Sequence, residues 1–552
     1  MTSTTSSTSQ RSPKPQARPA GLPVGILLSA MVGLVSAAVA LGVAQLVAVL
    51  TGPTSAPVNA VGQGVIRLTP ESVKEFAIRA FGENDKLVLL LSTYALVAVF
   101  AAIVGFVAAV NRRLGVVGIA VFGAIGIVAT QTSPDASPLA AAPSIVGTVA
   151  GIAALMLFTR HIHRRPTSPS DPDDDTSEGT ADRAGSTRDR KRLAVNRRGL
   201  LTTGGAAAAV ALLGGGAGTY LLGKRFDVTA ARRRIVLPKP SSQAPPLPAS
   251  VDLKVPELTS FTTPNSTFYR VDTALVLPQI NPDQWLLRIH GMVDREITLG
   301  YADLLRRRLI ERDITFTCVS NEIGGQLAGH ARWLGVPLID ILREAGPHPD
   351  ADQIFTTSQD GWTCGTPTDA AMRVPNAMLA IGMNGEPLPL AHGFPVRMIV
   401  PGLYGYVSGT KWITDLELTT FAAGPKPYWV RRHWAATAPI KTMSRIDTPR
   451  ALSELSRGKT VKVAGMAWAQ NRGVSKVEVR VGDGDWRPAR MAAAANTQTW
   501  RQWVWDWTPA STGLQSLSVR ATDGTGAIQT NQRADPFPNG SSGWHTVSFN
   551  VS

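Results

Sequence analysis

The sequence predicts a chain of three parts: an α-helical transmembrane region, a soluble α+β domain and a C-terminal β-sandwich. Three observations predict them. Long apolar runs without charged residues fill the first part, short β-rich runs alternate with helical stretches in the second, and strand-like alternation with tight turns fills the third. Because 552 residues are too many for one hydrophobic core, separate units are expected.

The transmembrane region begins with an uncharged apolar run. No Lys, Arg, Asp or Glu lies between Arg18 and Arg67, and this run exceeds the roughly 20 apolar residues that cross a bilayer. Similar runs follow, so four transmembrane helices are expected within residues 22–160 and a fifth within 199–223. Residues 1–21 are expected to form a disordered cytoplasmic tail.

The segment TPESVKEFAIRAF, between the first two runs, has the pattern of a short amphipathic helix. Thr69 is placed to cap it and Pro70 to be its first helical residue. The apolar residues that share one face of this helix are Val73, Phe76, Ala77, Ala80 and Phe81.

The formal net charge of +15 is explained by Lys and Arg residues that lie near the apolar runs. Lys and Arg collect at the cytoplasmic ends of membrane helices, and the clusters before the first run, at 112–113 and at 160–165, place the N-terminus in the cytoplasm. Five crossings then place everything after Gly223 outside it. This predicts a multi-pass protein of the cell membrane with an extracytoplasmic domain, and the charge does not indicate a nucleic-acid partner.

The polar, Pro- and Ser-containing residues 161–198 are expected to be a disordered cytoplasmic linker. The linker ends in NRRGLLTTGGAAAAVALLGGG, where Arg197 and Arg198 precede a weakly hydrophobic helix. This pattern is similar to a twin-arginine export signal; the alternative is ordinary arginines at a cytoplasmic flank. No small-x-small cleavage site follows, so the helix is expected to remain as an anchor. Residues 224–250 are expected to be an extended, proline-rich linker.

The soluble part begins near residue 251. Within 251–425 the β-rich runs TALVLP, WLLRIHG, ITFTCV, QIFTTS and VRMIVPG alternate with the helical stretches GVPLIDILREAG and TDAAMRVPNAMLAIG. No regular βαβ rhythm appears, which predicts an α+β domain.

Residues 440–552 contain alternating strands with DGD and DG turns at the spacing of an immunoglobulin-like β-sandwich. Trp503, Trp505 and Trp507 occupy every second position, so their rings are expected on one face of one strand. Core packing is the expected role of these rings.

The chain has two cysteines, in unlike settings. Cys318 ends the run ITFTC, and Cys364 lies in the turn-rich DGWTCGTP. Composition alone leaves three alternatives open: a disulfide, buried inert thiols, or a metal-binding or catalytic thiolate.

The segment TFTCVSNEIGGQLAGHARWLGVPLIDIL resembles the cysteine segment of the sulfite oxidase family of molybdenum enzymes. The resemblance implies that Cys318 is both the catalytic residue and the metal ligand, with Trp333, Gly335 and Leu338 in the tryptophan-glycine-helix stretch that follows it.

A second segment, MNGEPLPLAHGFPVRMIVPGLYGYVSGTKWITDLEL, resembles the family's pterin-phosphate segment. NSTFYRV looks like its first cofactor strand, and QIFTTSQDGW resembles a further contact region. The resemblance therefore implies a cofactor-binding set that consists of Phe268, Tyr269, Arg270, Thr357, Ser358, His392, Arg397, Gly409, Thr410 and Lys411, with Gly409 and Thr410 offering backbone contacts.

The chemistry of these residue types agrees with that cofactor. Molybdenum prefers soft sulfur donors, which a dithiolene and one thiolate supply. A guanidinium, an ammonium and an imidazole suit a phosphate dianion. Considered alone, His392 would be interpreted as a structural histidine. Arg397 or Lys411 alone would be interpreted as a member of an ion pair. One molybdenum-molybdopterin per chain is expected, and Cys364 is then a buried structural thiol.

The resemblance covers residues 250 to 552, including the sandwich that the family uses for dimerisation, which implies a homodimer.

The sequence departs from the family around the substrate. The animal enzymes continue with Asn-Arg-Arg after the cysteine, whereas Glu322 and Ile323 follow Asn321 here. The family's tyrosine position aligns with Trp434, and its sandwich arginine aligns near Trp503. Glu322, Arg431 and Trp434 are the predicted substrate-pocket residues. Arg431 either restores positive charge or belongs to a solvated basic surface.

The histidines argue against haem. All eight lie at 161, 163, 290, 330, 348, 392, 433 and 545, outside the predicted membrane helices, so no bis-histidine haem is expected there. A GxGxxG loop is also lacking, so no nicotinamide is expected. An external electron carrier, a cytochrome or the quinone pool, is therefore implied.

The predicted function is oxygen-atom and two-electron transfer to or from a small substrate by a membrane-anchored extracytoplasmic enzyme. The alternatives are reduction of an S-oxide or N-oxide on the same centre, and a cofactor-free membrane receptor or adhesion protein.

Overall fold

The computed structural model describes residues 24–81, 84–133, 137–163 and 197–552. The tail expected at 1–21 and most of the linker expected at 161–198 lie outside these ranges. The chain divides into two compact units. One consists of Met1–Val61, Leu89–Gln131 and Pro138–Leu222, and the other of Gly62–Val88, Thr132–Ser137 and Gly223–Ser552.

The first half of the chain contains five long helices and three short ones among its described residues. In chain order they are α1 (Val24–Thr51), α2 (Pro57–Leu68), α3 (Glu71–Phe81), α4 (Asp85–Val110), α5 (Arg112–Gln131), α6 (Ala142–His163), α7 (Arg197–Phe226) and α8 (Thr229–Arg234). Among the described residues, five helical stretches are long and apolar enough to cross a membrane: Ile26–Thr51, Asp85–Val110, Arg112–Gln131, Ala142–Arg160 and Thr202–Arg234. They correspond to the five predicted spans.

Small residues let two of these helices approach closely. A Cβ added to Gly33 of α1 would lie 1.9 Å from the carbonyl oxygen of Ala101 in α4. A Cβ added to Gly105 of α4 would lie 2.6 Å from the backbone nitrogen of Gly33. Close backbone approach through glycine is the usual packing mode of membrane helices.

The short helix predicted between the first two spans is present as α3, but its start differs. It begins at Glu71, and the Thr69 hydroxyl donates back to the Val65 carbonyl at 2.6 Å. Thr69 thus ends α2 instead of capping α3. Side chains on the predicted apolar face are exposed, with Val73 at 52% and Phe76 at 64%.

The expected extended linker at 224–250 is partly helical, because it contains the end of α7 and α8. Arg232 of α8 donates to the backbone carbonyls of Leu388 (2.8 Å) and Pro387 (2.5 Å). Further along, the Ser241 N–H donates to the Leu309 carbonyl at 2.9 Å. The linker is therefore docked on the soluble domain.

The α+β domain contains ten strands and three short helices. They are β1 (Leu286–Gly291), β2 (Ile297–Gly300), α9 (Tyr301–Arg306), β3 (Ile310–Thr317), β4 (Ala328–Pro337), α10 (Leu338–Ala345), β5 (Gln353–Ser358), β6 (Thr363–Pro367), α11 (Thr368–Arg373), β7 (Met378–Met383), β8 (Glu386–Pro387), β9 (Arg397–Ile399) and β10 (Ile413–Thr419). One sheet has the order β2-β1-β10-β5-β6 and the other β3-β4-β7-β8, with β9 also paired to β7. Among the paired strands of these two sheets, only β1 and β10 run parallel, which agrees with the predicted α+β class.

Among the β-rich runs and helical stretches predicted for this domain, two are wrong. TALVLP is not a strand: the Gln63 side chain accepts from the Leu275 N–H (2.9 Å) and donates to the Thr273 carbonyl (3.1 Å), as a neighbouring strand would. The stretch predicted as one helix at 368–382 is helical only to Arg373, since Pro375 prevents its continuation. The apolar residues that follow form β7, which is buried on both faces.

The C-terminal part contains the remaining strands: β11 (Met443–Thr448), β12 (Glu454–Leu455), β13 (Val461–Trp468), β14 (Val474–Val481), β15 (Arg487–Pro488), β16 (Arg490–Met491), β17 (Arg501–Trp507), β18 (Gly513–Asp523) and β19 (His545–Val551). Two sheets, β11-β13-β17-β16 and β12-β19-β18-β14-β15, contribute to one shared core. Trp503 and Trp507 are buried in that core and Trp505 packs against it, as their alternation predicted.

Candidate cofactor site

Cys318 is the first residue after β3, which ends at Thr317. Its N–H donates to the Leu327 carbonyl (2.9 Å), and the Asn321 side-chain carbonyl accepts from the Leu327 N–H (2.7 Å). These bonds close a tight loop between β3 and β4 that holds the buried thiol. Cys364 is buried as well, and the two cysteines are not bonded to each other. The disulfide alternative is therefore wrong.

Opposing effects act on the Cys318 thiol. Burial raises its pKa, while the amides of Ser320 and Val319, the Ser320 hydroxyl and the charge of Lys411 act to lower it. Hydrogen-bond donors and a cation near a buried sulfur favour the thiolate, which is the form that binds metals.

Two tyrosines lie within electrostatic reach of the thiol. Burial raises the pKa of Tyr404 to about 12, and Cys318 adds to this shift. Burial likewise raises the pKa of Tyr269, with Cys318 raising it further and Arg397 opposing. Both phenols thus remain protonated at neutral pH and can donate hydrogen bonds near Cys318.

Arg397, on β9, is a buried cation with no acidic partner among the described residues. Its guanidinium carbon lies 4.9 Å from the ring centre of Phe316 and 5.1 Å from that of Trp333. Nη1 donates to the His392 carbonyl at 3.3 Å, whereas Nε has no hydrogen-bond partner among the described residues. Burial lowers the pKa of Arg397 to about 10. Burying a guanidinium without an anion is costly, so this position is suited to a bound anion.

Several cations meet at one buried carboxylate. Asp272 accepts from Lys411 Nζ (2.9 Å), Arg270 Nε (2.8 Å) and Lys86 Nζ (2.6 Å). Burial alone would raise the pKa of Asp272, but the three cations hold it well below its usual range. Lys411 also donates to the Ala391 carbonyl at 3.0 Å. Three cations therefore share the Asp272 carboxylate, and a second carboxyl group, Asp360, lies within electrostatic reach of Asp272 and Lys411.

His392 lies beside these cations. Burial lowers its pKa to about 4, and Lys411 adds to the shift. Nε2 is 3.1 Å from the Asn265 carbonyl, so Nε2 carries the proton of the neutral ring and Nδ1 is an acceptor. A neutral His392 therefore cannot donate a second hydrogen bond, and it serves as a phosphate donor only if the phosphate itself raises its pKa.

The first predicted cofactor segment lies against His392 but is not a strand. Residues 264–270 form a turn and a loop, with the Thr267 N–H donating to the Pro264 carbonyl at 3.0 Å. Phe268 is buried there. Its ring packs edge-to-face with that of His392, and the ring centres are 5.3 Å apart.

The backbone contacts expected at Gly409 and Thr410 are partly used within the protein. The Gly409 N–H donates to the Gly405 carbonyl at 2.8 Å, because this segment is a tight 3-10 turn. The Thr410 hydroxyl pairs with that of Thr356 at 2.6 Å. Gly409 still has a steric role, since a Cβ there would lie 3.2 Å from Nη2 of Arg397.

The two residues predicted on β5 lie on opposite faces of the strand, because successive strand side chains alternate. Ser358 shares its face with Thr356, and its hydroxyl donates to Asp360 at 2.5 Å. Burial raises the pKa of Asp360, and Asp272 raises it further. Ser358 therefore belongs to the charged cluster, whereas Thr357 lies on the other face.

The predicted substrate residues are only partly brought to the site. Trp434 is buried, has no hydrogen-bond partner for Nε1 among the described residues, and belongs to the same packed cluster as Val319, which follows Cys318. Glu322 and Arg431 are exposed, and neither forms an ion pair with another described residue.

Comparison with known proteins adds independent evidence. Residues 274–428 match the family model described as the oxidoreductase molybdopterin binding domain. The chain is similar to mitochondrial sulfite oxidase of Homo sapiens, with 27% identity over 351 residues that cover 54% of this chain and 63% of the relative. The chain belongs to the sulfite oxidase family.

Two bacterial relatives of this sulfite oxidase family member cover less of it. The uncharacterized oxidoreductase YuiH of Bacillus subtilis is 31% identical over 140 residues, covering 25% of this chain and 66% of the relative. The protein-methionine-sulfoxide reductase catalytic subunit MsrP of Campylobacter jejuni is 30% identical over 184 residues, covering 29% and 59%. The chain thus spans less than two thirds of the length of each of these three relatives.

The residues of this family member fit a pterin phosphate and a metal. Arg397 and Lys411 would hold the phosphate, because the first has an unused buried donor and the second shares its carboxylate partner with two other cations. Cys318 would be the sulfur ligand. Among the described residues, no group of three or more His, Cys, Asp or Glu could hold a metal ion alone, so further donors would come from the cofactor.

The sequence pattern did not reveal Asp272, Tyr404 or Lys86. Asp272 follows Arg270 by two positions, so an acidic residue close to the predicted motif could have indicated its role. Tyr404 lies inside the predicted phosphate segment. Lys86 had no signal, since it is distant in sequence from every motif of the site.

Uptake of the cofactor is expected to depend on pH through Lys411. Burial lowers the pKa of Lys411 to about 8. Below that pH the ammonium is protonated and attracts phosphate, and as pH rises through about 8 the charge is lost. Cofactor-free full-length protein incubated with isolated molybdopterin should therefore bind less of it above pH 8, as measured by pterin fluorescence. Lys411→Arg should move this loss to higher pH, and an unchanged profile would contradict the assignment.

Proposed function

We propose that this chain is a membrane-anchored, extracytoplasmic molybdenum oxidoreductase that transfers an oxygen atom and two electrons to or from a small substrate. The observation that carries the proposal is the pairing of a buried thiol, Cys318, with a buried cationic site that lacks sufficient anions. Arg397 has no acidic partner among the described residues, and Asp272 is shared by three cations. A structural role needs neither feature, whereas a phosphate-bearing metal cofactor needs both.

Each residue has a defined role in this proposal. Molybdopterin, when bound, supplies a metal that exchanges an oxygen atom and cycles by two electrons. The chain binds and orients that cofactor: Arg397 and Lys411 hold its phosphate, and Phe268 and Gly409 shape the space around it. Cys318 supplies the protein's sulfur ligand, and the amides next to it stabilise the thiolate. Tyr269 and Tyr404 remain protonated and are available to orient a substrate oxygen.

In the oxidising direction, the substrate gains an oxygen atom from water and releases two electrons and two protons. The electrons would leave to an external carrier, a cytochrome or the quinone pool. The reducing direction is the reverse: an S-oxide or N-oxide loses its oxygen as water. The relative from Campylobacter jejuni carries a sulfoxide-reductase name, which is one reason to keep this second candidate.

The surroundings of Cys318 favour a neutral organic substrate over sulfite. The ring of Trp434 packs against those of Tyr406, Trp429 and Phe537, with distances between ring centres of 5.9, 6.0 and 5.4 Å. This aromatic cluster is continuous with Val319 in the packed core. Apolar walls bind a thioether or an organic S-oxide better than a small dianion.

The placement of the domain forms part of the proposal. The five candidate spans and the distribution of Lys and Arg support a cytoplasmic N-terminus and an extracytoplasmic soluble part. Arg197 and Arg198 would belong to an uncleaved twin-arginine signal. Protease added outside intact cells should then degrade residues 224–552. We also propose that the two C-terminal sheets form an immunoglobulin-like sandwich through which the protein dimerises.

The deciding experiment is the metal content of full-length protein purified from its own membranes. About one molybdenum per chain, measured by mass spectrometry, and a matching amount of released pterin are expected. Turnover is then assayed with a thioether and an artificial electron acceptor, and with the corresponding S-oxide and an artificial donor. Correctly folded protein without molybdenum would overturn the enzyme proposal and favour the receptor alternative.

A further inference from the structure

Two side chains from the helices near the N-terminus reach the loop of the cofactor domain that contains Asp272. Gln63 of α2 bonds the backbone at Thr273 and Leu275, and Lys86 in the first turn of α4 bonds Asp272. These contacts fall within residues 272–275 of one loop. That loop carries the carboxylate to which Lys411 is bound.

Lys86 changes the charge available to Lys411. Lys86 bonds Oδ1 of Asp272 at 2.6 Å, and Lys411 bonds Oδ2 at 2.9 Å. Arg270 bridges both oxygens, at 3.1 and 2.8 Å. The Asp272 and Lys411 side chains are only 6% and 12% exposed, so solvent screens this group weakly.

We propose that Lys86 is a positioning residue of the cofactor site, supplied by the second candidate membrane span. It compensates Asp272, so that Lys411 retains charge for an anionic phosphate. This inference rests on the proposed function, because the anion is taken to be the pterin phosphate. The segment Gly62–Val88 is thereby a functional part of the cofactor domain and more than a tether.

The physical reason is the balance of charge at Asp272. With Lys86 present, three cations share the Asp272 carboxylate, while Asp360 lies within electrostatic reach of Asp272 and Lys411. Without Lys86, one positive charge of this cluster is lost and Asp272 draws more strongly on Lys411. A unit charge several Å from a phosphate dianion in a partly buried site corresponds to about tenfold in binding.

The test compares two lysine substitutions in the same segment of the full-length protein. Lys86→Met removes the charge at Asp272. Lys74→Met is the matched control: Lys74 of α3 also contacts the domain, at the Tyr428 hydroxyl (2.9 Å), but does not contact Asp272. Lys86→Arg keeps the charge and should restore the parent behaviour.

Two readouts are used: molybdenum per chain after purification, and the rate at which pterin fluorescence appears as bound cofactor is released. K86M should release the cofactor about tenfold faster than the parent and contain less molybdenum. K74M and K86R should resemble the parent. Hydrogen exchange at residues 273–275 of cofactor-free protein reports whether the loop itself has come loose.

The outcomes are distinguishable. Equal release from the parent and K86M would overturn this inference and leave the proposed function standing. Equal acceleration in K86M and K74M would also overturn it, because docking of the segment and not the charge at Asp272 would be responsible. A parent protein without molybdenum would overturn the proposed function and this inference together.

Discussion

Replacement of Cys318 by serine is expected to reduce turnover by more than about 100-fold, while most of the bound pterin is retained. Loss of a residue that merely orients a metal ligand typically costs 10- to 100-fold, so loss of the ligand itself should cost more. Serine has nearly the same shape as cysteine, but its hydroxyl is a harder donor and is not deprotonated at neutral pH. Because Arg397 and Lys411 are untouched, the phosphate should remain bound.

The matched control is Cys364→Ser, the same change at the other buried cysteine. Cys364 is fully buried on β6, its sulfur is 3.7 Å from the Thr366 hydroxyl, and burial raises its pKa to about 11. It is therefore a protonated thiol with a structural role. C364S should retain turnover and the parent metal spectrum, with a loss of about 1–3 kcal/mol in the free energy of unfolding.

Metal content, the visible absorption of the metal–thiolate bond and turnover distinguish the two variants. C318S should lose the absorption band and the activity together. A C318S protein with the parent spectrum would exclude Cys318 as the ligand. Loss of the band in C364S instead would assign the metal to the other cysteine.

Local patterns in the sequence predicted much of the fold. The five apolar runs, strands β1, β3, β5 and β13 and the sandwich tryptophans are marked by composition and alternation, which depend on neighbouring residues. The position of Cys318 at the end of β3 was predicted in the same way, whereas its role as a metal ligand is implied only by the family resemblance. The Arg397 and Lys411 positions came from a contiguous segment that resembles the family's phosphate-binding stretch.

The remaining features depend on contacts between distant residues. TALVLP is as apolar as a strand, but the Gln63 side chain occupies the position of a strand neighbour there. Asp272 acquires its role because it bonds both Lys86, which lies 186 residues before it, and Lys411, which lies 139 residues after it. The separation of Thr357 from Ser358 follows from the alternation of β5 and the position of its neighbours, which the sequence alone does not establish.

Removal of the Arg397 charge is expected to have opposite effects on cofactor binding and on stability. Arg397→Met should weaken cofactor retention by about 100-fold or more, since a buried charge-assisted contact to a phosphate is lost. The cofactor-free protein should unfold at the same temperature as the parent or a higher one. The guanidinium is buried without an acidic partner among the described residues, so its removal relieves a desolvation cost. Methionine can also pack against Phe316 and Trp333.

Arg445→Met is the control that makes this result interpretable. Arg445 is also buried, but its Nε is 2.7 Å from Oδ1 of Asp447, and its other nitrogens donate to the Gly325 carbonyl (2.8 Å) and the Thr259 hydroxyl (3.0 Å). Its loss leaves a buried carboxylate without its partner, which typically costs 3–5 kcal/mol. In full-length cofactor-free protein, R445M should therefore melt well below the parent while R397M does not. If R397M destabilised the protein as strongly as R445M, Arg397 would be a structural cation and the phosphate would have to bind elsewhere.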